Sequence, residues 1–212
     1  MSARLVPLSG AVAVALIVAA FVIGGETPGT DDSLEEVVSY YEDNDTEIAI
    51  AAGLLGIGAF FFLVFSTTVA GLLRRAQGES GGSSALSFAG GIVFAVGATI
   101  FAGAGFAAAD AADQNVEPTV VQALNVLNSD MFFTVAVGAG AFLLGTGIAA
   151  LKTGALPRWL GWSAVVFGVL ALTPLGFFGF LLLLLWTLIA SVMLYMRADT
   201  PRARRTDSEM NP

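Results

Sequence analysis

Ile48–Leu73, with the sequence IAIAAGLLGIGAFFFLVFSTTVAGLL, is long, apolar and free of charged residues. An apolar segment of this length is sufficient to cross the roughly 30 Å hydrocarbon core of a bilayer as one α-helix. Nine acidic residues and no Lys or Arg lie between Glu26 and Glu47, whereas Arg74 and Arg75 follow the segment directly. Because basic residues concentrate on the cytoplasmic side of a membrane, these flanks predict that the segment ends in the cytoplasm.

The composition of the whole chain is that of a membrane protein. Its 212 residues are 56% hydrophobic and 12% charged, with a mean hydropathy of +0.82, whereas a soluble domain carries about 25% charged residues. The chain contains no Cys and no His, which excludes disulfides, thiol nucleophiles, imidazole metal sites and Ser-His catalysis. From these residue types we predict no catalytic residues, no cofactor and no metal site.

Similar apolar segments recur and predict an all-α, polytopic bundle of six transmembrane helices in one domain, residues 1–196. The predicted spans are 5–24, 48–73, 86–109, 131–151, 159–173 and 177–196. The first span also has features of a signal peptide, but its length and the absence of an A-x-A cleavage site favour a retained anchor. The polar segment 197–212 is predicted to be a disordered tail.

The loops between these spans predict a topology. All nine basic residues lie on one side of the six-span arrangement, and thirteen of the seventeen acidic residues lie on the other. The positive-inside rule then places both termini in the cytoplasm and the acidic segments 25–47 and 110–130 outside the plasma membrane. Ser33–Glu36 and Thr119–Gln122 both fit capping boxes, so we expect one short external amphipathic helix in each acidic segment.

Small residues predict where the helices pack closely. In the third span they recur every four residues, at Gly91, Ala95, Thr99, Gly103 and Ala107. GIGAFFFL, residues 56–63, also resembles GAGAFLLG, residues 138–145, which adds Gly56, Gly138 and Gly140 to the predicted packing positions. This match suggests a parallel internal repeat of residues 5–75 and 86–152.

No ionisable residue lies in the middle of a predicted span, which argues against a proton relay or an ionic pore. The hydroxyl residues of the spans are expected to bond carbonyl groups of their own helix or to bridge to a neighbouring helix. The acidic run Glu42–Glu47 carries oxygen ligands suited to calcium, but it lacks the full loop signature. A solvated acidic face is therefore the favoured interpretation.

The most distinctive local motif is LPRWLGW, residues 156–162. Arg158, Trp159 and Trp162 are predicted to anchor the fifth span at the cytoplasmic interface, with docking of a partner as the alternative. On this motif and its architecture the chain resembles small uncharacterised multi-pass membrane proteins common in actinobacteria. The resemblance implies an integral plasma-membrane protein and supplies no catalytic residues.

Two functions of different classes follow from these observations. The first is a non-enzymatic protein that acts through contacts with membrane lipids, another membrane protein or a second copy of itself; nucleic acid is not an expected partner. The second is a transporter or lipid-handling protein for an uncharged or amphipathic substrate. An enzyme would have to use carboxylates of the acidic segments, namely Asp43, Asp45, Glu47, Asp110, Asp113 and Asp130.

Overall fold

The structure, a computed structural model, describes residues 5–78, 82–114 and 116–199. These residues form a 3-10 turn, Val6–Leu8, and seven α-helices without any β-strand, so the all-α prediction is confirmed. The helices are α1 (Ser9–Gly24), α2 (Leu34–Asp43), α3 (Asp45–Gln77), α4 (Gly82–Asp113), α5 (Pro118–Thr153), α6 (Arg158–Ala171) and α7 (Gly176–Asp199). Most of the predicted tail lies outside the described residues, but the prediction is wrong for 197–199, which belong to α7.

Five helical segments are long and apolar enough to cross a membrane: Val6–Gly24, Asp45–Gln77, Gly82–Asp113, Pro118–Thr153 and Gly176–Arg197. The fifth predicted span, 159–173, is realised only as α6, which has 14 residues. At about 1.5 Å per residue, α6 is about 21 Å long and shorter than a typical hydrocarbon core. It ends early because Pro174 follows, and the residue before a proline is disfavoured in the helical conformation.

The predicted external loop 110–130 is mostly helical. α4 continues to Asp113 and α5 begins at Pro118, so the second amphipathic helix is the start of α5 and not a separate element. The predicted capping box at Thr119 is also wrong. Glu117 is the N-cap and makes no side-chain bond, while Pro118 starts the helix with a fixed φ.

The first of the two predicted amphipathic helices forms as a separate element, α2. The Ser33 hydroxyl accepts a hydrogen bond from the Glu36 N–H at 3.3 Å, and the Glu36 carboxylate accepts one from the Ser33 N–H at 3.0 Å. The Ser33 hydroxyl also donates to the Glu36 carboxylate at 2.8 Å, and this bond, together with that from the Ser33 N–H, holds the pKa of Glu36 below its usual range. Val37 and Tyr41 are fully buried, whereas Leu34, on the same predicted face, is exposed.

The long helices form a closed ring in the order α1, α3, α4, α5, α7, with α6 packed outside against α5 and α7. Aromatic side chains fill its centre. Phe21 of α1 lies 5.4 Å from Phe180 of α7 between ring centroids. Phe62 of α3 lies 4.3 Å from Phe94 and 5.2 Å from Phe142. The aromatic centre is therefore built by five helices, and α6, outside the ring, adds the buried Leu160, Ala164 and Ala171 to the hydrophobic core.

The closest helix pair is the antiparallel pair α4 and α5. Both carry the pattern G-x3-F-x2-G, at 90–97 and at 138–145. A Cβ on Gly90 would overlap the backbone of Phe142, and a Cβ on Gly138 would overlap the backbone of Phe94. Each helix therefore uses a glycine to admit the backbone of the other beside its phenylalanine, as small-residue packing in membranes requires.

The predicted packing stripe of α4 only partly contacts other helices. Gly91 lies against the side chain of Ser66 of α3, and Ala95 is buried. Thr99 is exposed, Ala107 is half-buried, and no atom lies within 4 Å of a Cβ at Gly103. The stripe fails because residues spaced by four drift around a helix of 3.6 residues per turn by about 40° per step.

The other predicted packing glycines divide in the same way. Gly138 contacts α4 as described, and a Cβ on Gly140 would lie 2.6 Å from the side chain of Leu172. Gly56 has open space around it and is not a packing position within this chain. The suggested repeat of residues 5–75 and 86–152 stays a prediction.

We expect Gly138→Ala to destabilise the bundle by about 1–3 kcal/mol or more, because the new methyl group overlaps backbone atoms that cannot move aside. Gly103→Ala is the matched control. It places the same methyl group in open space and should be neutral or stabilising by up to about 1 kcal/mol through helix propensity. Thermal unfolding of the purified variants measures both effects, and equal unfolding temperatures would contradict the packing argument.

Candidate functional site

The two ends of the bundle carry opposite charge. Every carboxylate whose side chain the structure describes belongs to the end formed by α2, the starts of α3 and α5 and the end of α4. We call this the acidic end. The described basic side chains, which belong to the other end, are Arg74, Arg75, Lys152, Arg158 and Arg197. Arg158, Trp159 and Trp162 lie together at the start of α6 and are exposed, in the position predicted for an interface anchor.

The acidic end has a small hydrophobic core of its own. It consists of seven buried residues, Val37, Tyr41, Ile48, Ala108, Ala109, Ala112 and Val121. We call the segment 25–33, α2 and the outer turns of α4 and α5 the cap. Because this core joins residues from four helices, the cap is packed against the bundle.

Buried polar side chains tie the cap to the bundle. The Tyr41 hydroxyl donates to Asn125 Oδ1 at 2.9 Å, and Asn125 Nδ2 lies 3.4 Å from the carbonyl oxygens of Pro28 and Gly29. The Tyr40 hydroxyl donates to the Gly24 carbonyl at 2.8 Å. One fully buried amide, Asn125, thus connects α2, α5 and the segment that follows α1.

Sequence reasoning missed Asn125 and Asn128 because both fell in the predicted loop 110–130. The structure places them on the inner face of α5, where they are 0% and 4% exposed. A signal was present in the spacing, since Val121, Asn125, Asn128 and Val135 follow the alternation of three and four that marks one helix face. Polar residues in such a pattern indicate a buried hydrogen-bond network.

A cavity of about 110 Å³ lies beneath the cap, where α1, α3, α4 and α5 meet. No charged side chain lines it. Its lining residues are Ala20, Phe21, Gly24, Gly25, Thr27, Tyr41, Ile48, Ala51, Ala52, Leu55, Phe101, Ala102, Gly105 and Asn128. Gly25 and Thr27 are exposed, so the cavity opens beside the segment that follows α1.

Asn128 supplies the most deeply placed polar group of the cavity. Its Nδ2 donates to the Phe101 carbonyl at 2.7 Å, and Gly105 leaves the space in which the amide lies. Because a carbonyl only accepts, this bond fixes which amide atom is the nitrogen. Among the described residues this is the one hydrogen bond of the Asn128 side chain, so its Oδ1 is an acceptor without a partner in the lining of the cavity.

Several hydroxyl groups of the long helices bond as expected, whereas the buried Thr187 hydroxyl of α7 has no partner among the described residues. Thr67, Thr68 and Thr99 bond carbonyl groups of their own helices. Ser87 and Thr146 bridge α4 and α5, with 2.7 Å between their hydroxyl oxygens. These bonds lie within one helix or join two neighbouring helices.

The acidic residues form a groove but no cluster suited to a metal ion. Asp45, Asp110 and Asp113 line a groove between the start of α3 and the end of α4. The structure does not bring Asp43, Glu47 and Asp130 into that groove. Across residues 5–78, 82–114 and 116–199, no group of three potential metal ligands comes together.

Burial raises the pKa of Tyr41 to about 12, from an ordinary value of 10.0, with a smaller contribution from Tyr40. Because the pKa of Tyr41 is higher in the folded than in the unfolded state, the neutral phenol contributes to the free energy of unfolding. This contribution is fully present below pH 10 and is lost as the pH rises toward 12. We expect thermal stability to fall over this interval. Burial also raises the pKa of Tyr40, and in an absorbance titration Tyr41 should be the last phenol to ionise.

The matched variant is Tyr41→Phe, which keeps the ring and removes the ionising group. Its absorbance titration should lack the last phenol to ionise, and its unfolding temperature should fall less between pH 10 and 12 than that of the wild type. Below pH 10 it should be less stable than the wild type by about 1–3 kcal/mol, because Asn125 Oδ1 is left without its donor. An unchanged absorbance titration in this variant would contradict the burial of Tyr41.

No protein-family model matches the chain, and no curated protein or solved structure is significantly similar to it. The features of the molecule that bear on its function are those of its own structure. These are the charged ends, the outward helix faces, the cap and the cavity beneath it.

Proposed function

We propose that this chain is a non-enzymatic integral membrane protein of the plasma membrane that acts through contacts with a membrane partner, either a second copy or another helical protein. The observation that carries this proposal is the open space at Gly56 of α3 and Gly103 of α4, two helices that pack side by side. Small residues on an outward face let a second helix approach closely within a bilayer. Ile57, Phe60 and Phe106, which are exposed on the same two helices, supply apolar contact area.

The proposed topology has six crossings, with both termini in the cytoplasm and the acidic cap outside. The basic residues at one end of the bundle support this orientation. α6 completes the sixth crossing together with the turn 172–175, whose exposed Leu172 and Leu175 suit a lipid environment.

The turn after α6 is also suited to membrane depth by its hydrogen bonds. The Thr173 hydroxyl donates to the Leu170 carbonyl at 2.7 Å and accepts from the Leu175 N–H at 3.2 Å. The N–H groups of Leu172 and Thr173 bond the carbonyls of Val169 and Leu170. The N–H groups of Leu172, Thr173 and Leu175 thus have partners inside the turn, which supports its placement in a bilayer, where backbone polar groups must be satisfied internally.

Native mass spectrometry of the protein in nanodiscs tests the contact function. We expect a defined oligomer or a stoichiometric partner, which Gly103→Leu removes without lowering the unfolding temperature. Gly71→Leu is the matched control, because Gly71 also has open space but lies near the basic end of α3. A monomer in all three proteins, or equal assembly of all three, would overturn the proposal.

Cysteine labelling tests the topology, since the chain contains no cysteine of its own. A membrane-impermeant maleimide added to intact cells should label Asp32→Cys in the cap. It should label Arg75→Cys, at the end of α3, only after the membrane is permeabilised. The reverse result would place the acidic end in the cytoplasm.

The second candidate function is the handling of an uncharged or amphipathic substrate, and the cavity beneath the cap is the observation that favours it. Its walls are apolar and uncharged, and the exposed Gly25 and Thr27 give access from outside the bundle. Binding pockets of this kind are mostly apolar with a few placed polar groups.

A further inference from the structure

We propose that the cavity beneath the cap binds a neutral apolar molecule through a hydroxyl group that donates a hydrogen bond to Asn128 Oδ1. This inference names the ligand class for the substrate-handling function and rests on that second candidate. It does not depend on the proposed contacts of α3 and α4. Three features of the cavity carry it: its volume, the absence of charge among the described residues that line it, and the unpartnered Asn128 Oδ1.

The apolar lining determines the body of the ligand. Phe21 and Phe101, with ring centroids 6.1 Å apart, and Leu55 present hydrocarbon surface to the cavity. A volume of about 110 Å³ approaches that of apolar protein cavities of about 150 Å³ that bind benzene. The cavity therefore fits one small ring or a short chain, or the end of a larger amphiphile.

The absence of charge in the lining determines the charge of the ligand. No Lys, Arg, Asp or Glu is among the residues around the cavity. An ion moved into such surroundings loses its hydration without gaining a counter-ion, which is costly. A neutral ligand avoids this cost.

The hydrogen-bonding groups determine which polar group the ligand carries. Asn128 Oδ1 is an acceptor without a partner, and the Tyr41 hydroxyl already donates its hydrogen bond to Asn125 Oδ1. At Asn128 the wall therefore offers an acceptor only, and a ligand that binds there must bring the donor. The Thr27 hydroxyl, which could donate, lies at the exposed mouth of the cavity. A hydroxyl group meets this requirement, whereas an ether, an ester or a halide does not.

Phenol and fluorobenzene provide the test, because they have the same ring with and without a hydroxyl donor. The full chain in nanodiscs, isotopically labelled at asparagine, is titrated with each probe while the side-chain amide of Asn128 is followed by NMR. Asn128→Asp, which has no amide, identifies the resonance. We expect phenol to shift it saturably and to bind about tenfold more tightly than fluorobenzene, as one buried hydrogen bond implies.

Ala52→Leu, at the α3 wall of the cavity, is the control variant and should weaken the binding of both probes. The comparison of the two probes uses the wild-type protein, so it does not depend on the folding of this variant. Equal affinities at Asn128 would overturn the hydroxyl assignment and leave the cavity as a binding site. If neither probe shifts Asn128, both the assignment and the substrate-handling function fail.

The source of the natural ligand is identified by native mass spectrometry of the protein as purified from membranes. A lipid with a free hydroxyl that is retained by the wild type and lost in Ala52→Leu assigns the ligand to the bilayer. An unliganded wild type that still binds phenol assigns it to a free small alcohol or phenol. A retained lipid without a hydrogen-bond donor would contradict the proposed chemistry.

Discussion

The close approach of α4 and α5 is the constraint on which the rest of the bundle depends. Gly90 and Gly138 let each helix contact the backbone of the other beside a phenylalanine, and both rings then meet Phe62 of α3. In a bilayer, burial of apolar side chains between helices gains little, because lipid is equally apolar. Contact geometry of this kind therefore has to supply much of the specificity that hydrophobic burial supplies in a soluble protein.

The cap follows from the same helix pair. α4 and α5 extend far beyond the residues expected for a span, and their outer turns form the surface on which α2 packs. Asn125 and Asn128 lie on this extension of α5. The same helix therefore packs against α4 in the bundle and provides the buried amide groups of the acidic end. The cavity forms at the level where the tightly packed bundle gives way to the cap.

The peripheral position of α6 is consistent with its short length. A helix of the central ring must present side chains to the aromatic core along its whole length, whereas α6 contacts only α5 and α7. It packs closely on α5, where a Cβ on Gly147 would lie 2.7 Å from the Gly161 carbonyl oxygen, and it accepts the bond from the indole N–H of Trp186 to the Leu160 carbonyl at 3.0 Å. This bond lets the fully buried Trp186 satisfy its only polar group.

Sequence patterns alone predicted an all-α chain, most of its long apolar helices and the separation of acidic from basic residues. Hydropathy and charge act locally along the chain, so Ile48–Leu73 and its flanks suffice to recognise a membrane helix. The capping box of α2 could also be predicted, because all of its atoms lie within four consecutive residues. The same local reasoning failed at Thr119, where Gln122 instead donates to the Thr30 carbonyl on another part of the chain.

Which glycines form contacts and which polar groups are buried depends on tertiary packing, and neither could be predicted from the sequence. Gly56, Gly103 and Gly138 have similar sequence surroundings, yet Gly138 alone faces the backbone of another helix. Asn128 was assigned to a loop until α5 was seen to continue through it with its amide bound to Phe101. The physical reason is that packing and burial depend on the rotation and register of one helix against another, and residues distant in the chain fix both.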